Sequence, residues 1–225
     1  MAKTASSGPA ADALGEACAR ITQALEEDIV LGRLHPRERL VEDDLMTRFA
    51  AKRHVVRDAL AALDRLGLVE RRKNVGALVR SFDTKTVEEL YQLRTLLESE
   101  AARQIPLPAA ASDLEALVAI QCAHDAAVRK GDKRQVFRSN LTFHEALFAM
   151  TGNEVLRQAI IEYARQTHPI RFSSLVSETH RERSRVEHWQ LIEALREGRR
   201  DDLVRLCGEH LAPSRDAYLA MHGMS

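Results

Sequence analysis

Apolar residues recur at three- and four-residue steps along most of this chain. The first such stretch runs from Leu14 to Val30, with Leu14, Ala17, Ile21, Leu25 and Ile29 on one face. Gly32 stands where helices commonly end, and Pro36 blocks continuation. A short segment follows from Glu42 to Phe49, with Glu42, Asp43 and Asp44 in its first turn, as the helix dipole favours. Only Ala50, Ala51 and Lys52 separate it from the next segment, Arg53 to Leu66, which Gly67 closes. Two helices joined by so short a turn predict a helix-turn-helix. The apolar runs at Leu68–Arg71 and Ala77–Arg80, around a loop with Asn74 and Gly76, then predict a β-hairpin. That order is a winged helix-turn-helix over residues 13–81, behind a flexible tail at residues 1–12.

From Phe82 onward no strand signal recurs. The pattern predicts helices over Thr84–Gln104, Ser112–Lys130, Asp132–Met150 and Glu154 to about Thr167, where Pro169 interrupts. Ser184–Arg196 and Asp201–Met221 complete the set, with Pro213 kinking the last. The fold class is therefore mainly α: the winged domain, then an all-helical antiparallel bundle of six or seven helices over residues 82–225.

Composition supports this reading and adds one asymmetry. Of 225 residues 45% are apolar, enough for a packed core, while aromatics are only 4%, which suits helices. No apolar run is long enough to cross a bilayer, so no membrane partner is expected. Cys18, Cys122 and Cys207 are odd in number and far apart, which suits a reduced, cytoplasmic protein rather than a disulfide framework. Net charge is zero, which argues against a general polyanion binder. Between Arg48 and Arg80, however, nine cations face only Asp58, Asp64 and Glu70. Lys52, Arg53, His54 and Arg57 crowd the start of one helix, where the dipole disfavours cations. Nucleic-acid phosphate accounts for such a placement, since it takes both the free N–H groups of a helix start and the arginines. Spacing alone does not say which arginine reads a base and which holds phosphate.

Three histidines share faces with apolar residues: His144 with Leu141, Leu147 and Phe148; His188 with Leu191, Ile192 and Leu195; His210 with Leu203, Leu206 and Cys207. Asn140 lies one turn before His144. Inward imidazoles need partners, and helical bundles build metal sites from facing helices, so a divalent metal is one reading. Hydrogen-bonded core histidines are the other, and His124 fits that pattern equally well. A metal-dependent hydrolase would place a base beside the ligands. Glu145 and Glu187 adjoin ligands in sequence, but a one-residue offset points to another helical face.

The segment IVLGRLHPRERLVEDDLMTRFAAKRHVVRDALAALDRLGLVERRKNVGALV resembles the DNA-binding domain of the GntR family of bacterial transcription regulators, most strongly over Arg53–Val69. The resemblance implies that Arg53, His54 and Arg57 contact operator DNA and that Gly76 approaches the minor groove from the wing tip. Lys52 replaces a capping Ser or Thr, Val55 a common Pro, and Arg37 a usual Gly. YQLRTLLESEAA, NLTFHEALFAMTGN and EHWQLIEALREGRRDDLVRLCGEHL resemble the FCD ligand-binding domain of the FadR subfamily, six helices suiting its VanR-like branch. This implies metal ligands at Asn140, His144, His188 and His210, with Zn or Ni expected. It also implies a small carboxylate effector met by Arg94, for which a salt bridge to Glu98 is an equal reading, and a homodimer acting as a repressor on double-stranded operator DNA.

Overall fold

The computed structural model describes residues 9–72 and 75–222. Two compact units divide at Ser81/Phe82. In the first, α1 (Pro9–Val30), α2 (Glu42–Phe49) and α3 (Arg53–Arg65) precede a hairpin of β2 (Val69–Arg72) and β3 (Gly76–Val79). α1 opens at Pro9, so residues 9–12 of the expected tail are helical, and residues 1–8 lie outside the described residues. A two-residue strand, β1 (Arg39–Leu40), pairs antiparallel with β3, giving the sheet order β1-β3-β2. It is too short to carry an alternation, and pairing alone reveals it.

The unit is held by one core. Ile21, Leu25 and Ile29 of α1 meet Val56, Ala59, Leu60 and Leu63 of α3, and Leu68, Val69 and Val79 close the sheet side. Val55, where the family pattern has Pro, is buried in that core. Arg37, where the pattern has Gly, sits at φ 68°, in the left-handed region that Gly enters without steric cost. Its N–H donates to the Val79 carbonyl at 2.8 Å, which fixes the turn all the same.

The second unit contains α4 (Thr84–Gln104), α5 (Ala111–Lys130), α6 (Lys133–Ala149), α7 (Glu154–Gln166), α8 (His168–Val176), α9 (Glu178–Arg196), α10 (Arg200–Glu209) and α11 (Ala212–His222). These are the six expected helices, the last of them broken in two, and one further helix, α8, that was not expected. α7 gives way to α8 at Thr167, with Pro169 in the first turn of α8, where its missing N–H costs nothing. α10 ends before Pro213, which starts a new helix rather than a kink. α9 begins six residues earlier than expected because Ser177 caps it, accepting from the His180 N–H. The stretch Glu178–Arg183 is polar and shows no apolar period.

α5 packs against α6 and α9, and α10 against α4 and α9. Phe143, Leu147, Leu191, Ile192, Leu195 and Leu203 are almost wholly buried where these helices meet. A smaller cluster of Val87, Tyr91, Ile170, Leu211 and Tyr218 joins α4 to α8 and α11. The three histidines lie beside the main core, on α6, on α9 and at the end of α10.

Candidate functional site

His144, His188 and His210 converge: one ring nitrogen from each lies within 4.8 Å of the others. Their neighbours fix where the protons are. Glu187 Oε2 accepts from His210 Nδ1 at 2.6 Å. Gln121 Oε1 accepts from His188 Nδ1 at 2.8 Å, and Gln121 is oriented by donating to Asp125 Oδ1 and to the Arg185 carbonyl. Trp189 Nε1 donates to the other Asp125 oxygen. Oxygens that only accept leave Nδ1 protonated, so His188 and His210 turn their Nε2 lone pairs inward. Phe143 stacks on His188 with ring centroids 4.0 Å apart and holds that plane.

Within the protein those two lone pairs meet at most one donor, a proton on His144 Nε2. His210 Nε2 faces His144 Nε2 at 3.1 Å, and His188 Nε2 is buried without a protein partner. An unmet buried acceptor costs about 1–3 kcal/mol. Two imidazoles sharing one Zn²⁺ at about 2.0–2.1 Å would stand roughly 3.3 Å apart, close to the separation seen. Burial above all holds His144 and His188 well below the usual imidazole range, so both are neutral and able to ligate near pH 7. The cluster fits a divalent metal ion of the borderline type that imidazole prefers. Asn140 is half-buried on the preceding turn of α6 and shares the face of His144 by helical spacing.

His124 remains a core residue. It is fully buried, its Nδ1 lies 2.9 Å from Ser139 Oγ, and burial pushes its pKa down to about 4. Glu187, expected to point away from the site, reaches it and holds His210, and Glu145 comes only to the cavity beside His144. One-residue offsets do separate faces of a single helix, but this site lies between helices, so Glu187 of α9 faces the end of α10. Burial raises the Glu187 carboxyl, and His210 and Arg183 together outweigh it, leaving the group below its usual range and ionised. With both oxygens engaged it orients a ligand rather than serving as a base.

On the other side of His144 lies a small cavity, partly open to solvent, lined by Arg94, His144, Phe148, Ile160, His168 and Arg171 among others. Arg94 is buried. Its Nε and one terminal nitrogen donate to Glu98 Oε1 at 3.0 and 2.8 Å, and the other donates to Thr167 Oγ1 at 3.0 Å. The salt bridge and the position beside the histidines therefore coexist. Arg171 was invisible to the pattern, since it follows Pro169 outside any periodic run. Burial and the charge of Arg94 lower its pKa to about 10, so it stays cationic near pH 7. Four arginines (Arg94, Arg157, Arg165 and Arg171) and two carboxylates (Glu98 and Glu145) line the cavity, an excess of positive charge.

In the first unit Lys52 occupies the N-cap of α3 in extended conformation, and no side chain caps the helix. Arg53, His54 and Arg57 are exposed on its first turns, while Val55, Val56, Ala59 and Leu60 are buried on the opposite side. The exposed residues thus share one outward surface. Gly76 opens β3 at φ 99°, beside the hairpin tip, where a side chain would be strained. Lys73 and Asn74 of the tip lie outside the described residues. Arg71 and Arg72 on β2 are exposed.

The family model described as "Bacterial regulatory proteins, gntR family" matches residues 18–79, and the FCD domain model matches residues 89–213. An uncharacterised HTH-type transcriptional regulator of Bacillus subtilis is 25% identical over 173 residues, 76% of this chain and 77% of that protein. The galactonate operon transcriptional repressor of Escherichia coli is 26% identical over 163 residues, 63% of this chain and 70% of that protein. The fold matches a GntR transcriptional regulator from Rhodococcus sp. RHA1 with a TM-score of 0.75 at 21% identity, covering 90% of this chain and 97% of that one. It also matches the Escherichia coli protein McbR/YncC with a TM-score of 0.73 at 18% identity, over 92% and 97% of the two chains.

Proposed function

Because this chain belongs to the GntR family of bacterial regulatory proteins and carries an FCD domain, we propose that its DNA binding is governed by a small carboxylate held beside a metal ion at His144, His188 and His210. The chain is a DNA-binding transcription regulator and not an enzyme. The proposal adds the FadR-type assignment, repression, the homodimer and the identity of the site residues. No helix among the described residues is long and apolar enough to cross a membrane, and the proposed place of action is the cytoplasm, with the operator.

The observation that carries the reading is the convergence of three ring nitrogens on a common space, with the Nδ1 protons of His188 and His210 committed elsewhere and His188 Nε2 buried without a protein partner. His144, His188 and His210 would hold the ion, with Asn140 supplying a neutral carbonyl oxygen. A neutral fourth donor makes the site less anionic than one with Asp, and so weaker for a dication. The ion would supply a Lewis-acidic point for a carboxylate oxygen. Arg94 and Arg171 provide the positive surroundings for the same anion, while Phe148 and Ile160 exclude water and strengthen those charges. These cations are the reason an acid is proposed as the ligand class.

Arg53, His54 and Arg57 are proposed to enter a major groove, with Lys52 on phosphate at the helix start and Gly76 bringing the wing to the minor groove. A homodimer would present two such helices to a pseudo-palindromic operator. The acid acts by binding more tightly to one of two arrangements of the protein and shifting the population towards it. Elemental analysis of purified protein, with Zn²⁺ and Ni²⁺ titrations of the metal-free form, tests the centre. The wild type is expected to bind one ion per chain and His188→Ala none. Equal metal content in both would refute the ligand set.

A further inference from the structure

We infer that Glu42 and Asp43, on the helix before the recognition helix, set DNA specificity by holding Arg53 and Arg57 in place until a matching site displaces or joins them. The inference rests on the reading of Arg53 and Arg57 as DNA contacts.

Both arginines are already engaged in the free chain. Arg57 Nε lies 2.9 Å from each Glu42 carboxylate oxygen. One terminal nitrogen of Arg53 donates to Asp43 Oδ1 at 2.5 Å, and the other lies 3.6 Å from Glu42 Oε2. These pairs span the turn of the helix-turn-helix. Glu42 is the better shielded partner, its side chain 28% exposed against 71% for Asp43. Helix-dipole chemistry accounts for acids in the first turn of α2, but not for two of them reaching across to α3. Asp44, equally a first-turn acid, is exposed and takes no part in these pairs.

The two clamps differ in what they leave available. Glu42 takes the Nε of Arg57, which leaves the two terminal nitrogens for a bidentate contact such as guanine O6 and N7. Asp43 covers a terminal nitrogen of Arg53, so that fork must be released before it meets DNA. Phosphate alone gains little from an arginine whose charge is already matched, whereas a base edge with paired acceptors satisfies the donors that remain. The carboxylates also repel any backbone that approaches out of register. Non-specific binding therefore loses more than operator binding does. Without these acids, the locally basic surface between Arg48 and Arg80 would bind any duplex.

The test compares wild type, Glu42→Gln/Asp43→Asn and Asp44→Asn, all as full-length protein, on two duplexes. One is selected by the wild type from a random pool, and the other is a random-sequence duplex. Fluorescence anisotropy is read between 50 and 200 mM salt. Each newly neutralised phosphate steepens the salt slope by about 0.9, or about 3.5-fold in affinity over that range. The double variant is expected to gain about three- to tenfold on the random duplex at low salt, with a slope steeper by about one to two, and to lose discrimination. Asp44→Asn, which changes charge without touching either arginine, should move these values much less. An unchanged slope and ratio in a folded double variant, judged by its circular dichroism and melting curve, would overturn the inference, as would an equal effect of Asp44→Asn. Arg53→Ala/Arg57→Ala separates the two levels. If it leaves selected-site affinity intact, the contact assignment fails; if it abolishes affinity while the carboxylate variant is silent, only the clamp fails.

Discussion

Replacing Glu187 by glutamine keeps an acceptor for His210 Nδ1 but removes its charge. The native contact is short, 2.6 Å, and lies where the His210 side chain is 9% and the Glu187 side chain 14% exposed. Hydrogen bonds to a charged group contribute about 1.5–3 kcal/mol and neutral ones about 0.5–1.5. The change therefore costs the metal-bound form about 1–1.5 kcal/mol, or roughly five- to tenfold in affinity. Glu187→Ala removes the acceptor altogether and should approach the hundredfold end of such outer-shell effects. Loss of the Arg183 partner adds little, because that side chain is 53% exposed and its pair is screened. Competition against a chromophoric chelator at pH 7.5, run separately for Zn²⁺ and Ni²⁺, gives the affinities. A melting curve in excess chelator controls for folding. If Glu187→Ala binds within twofold of wild type, His210 is not a ligand held in this way and the geometric argument fails.

Further outcomes follow from the same geometry. His124 has a folded pKa of about 4 against 6.5 unfolded, so between those values the unfolded chain takes the proton and stability falls as pH falls. From pH 7.5 to pH 5 His124 alone removes about 2 kcal/mol, and His144 and His188, shifted the same way, remove more. Chemical denaturation of metal-free protein at the two pH values measures it, and equal stability would contradict the buried neutral histidines. Lys52→Ser supplies the missing cap of α3 and should stabilise that helix start by about 1 kcal/mol, slowing amide exchange at His54 and Val55 about fivefold. Unchanged exchange would show that the cap position is already satisfied. Arg94→Met strands buried Glu98 and should cost about 3–5 kcal/mol, whereas Arg94→Met/Glu98→Met should restore most of that stability yet remain unresponsive to acids. A double variant that still responds would leave Arg94 as a purely structural residue.

Much of this was legible because helix chemistry is local. Thr84–Gln104 and Glu42–Phe49 have the bounds their periodicity and flanking residues predict. β1 was not legible, since two residues carry no period and pairing with β3 is a tertiary event. The start of α9 escaped for the opposite reason: a polar helix with a good cap has no apolar stripe. At the site, the inward faces of His144, His188 and His210 could be read from spacing. Gln121 and Glu187, which orient two of those rings, could not, because each reaches from one helix to another. Arg171 belongs to the same class: a cation after a helix-breaking Pro reads as surface until the fold encloses it.

The central claim is that an acid at the histidine centre controls DNA binding, and equilibrium binding to a selected duplex tests it most directly. Metal-loaded wild type and His144→Ala would each be titrated on that duplex by fluorescence anisotropy, with and without a panel of small carboxylates at saturating concentration. The account predicts that at least one acid shifts wild-type affinity by about five- to 150-fold, the usual span of coupling between sites, and leaves His144→Ala unmoved. An acid that shifts both proteins equally would contradict it, as would wild-type affinity indifferent to metal and to every acid tried.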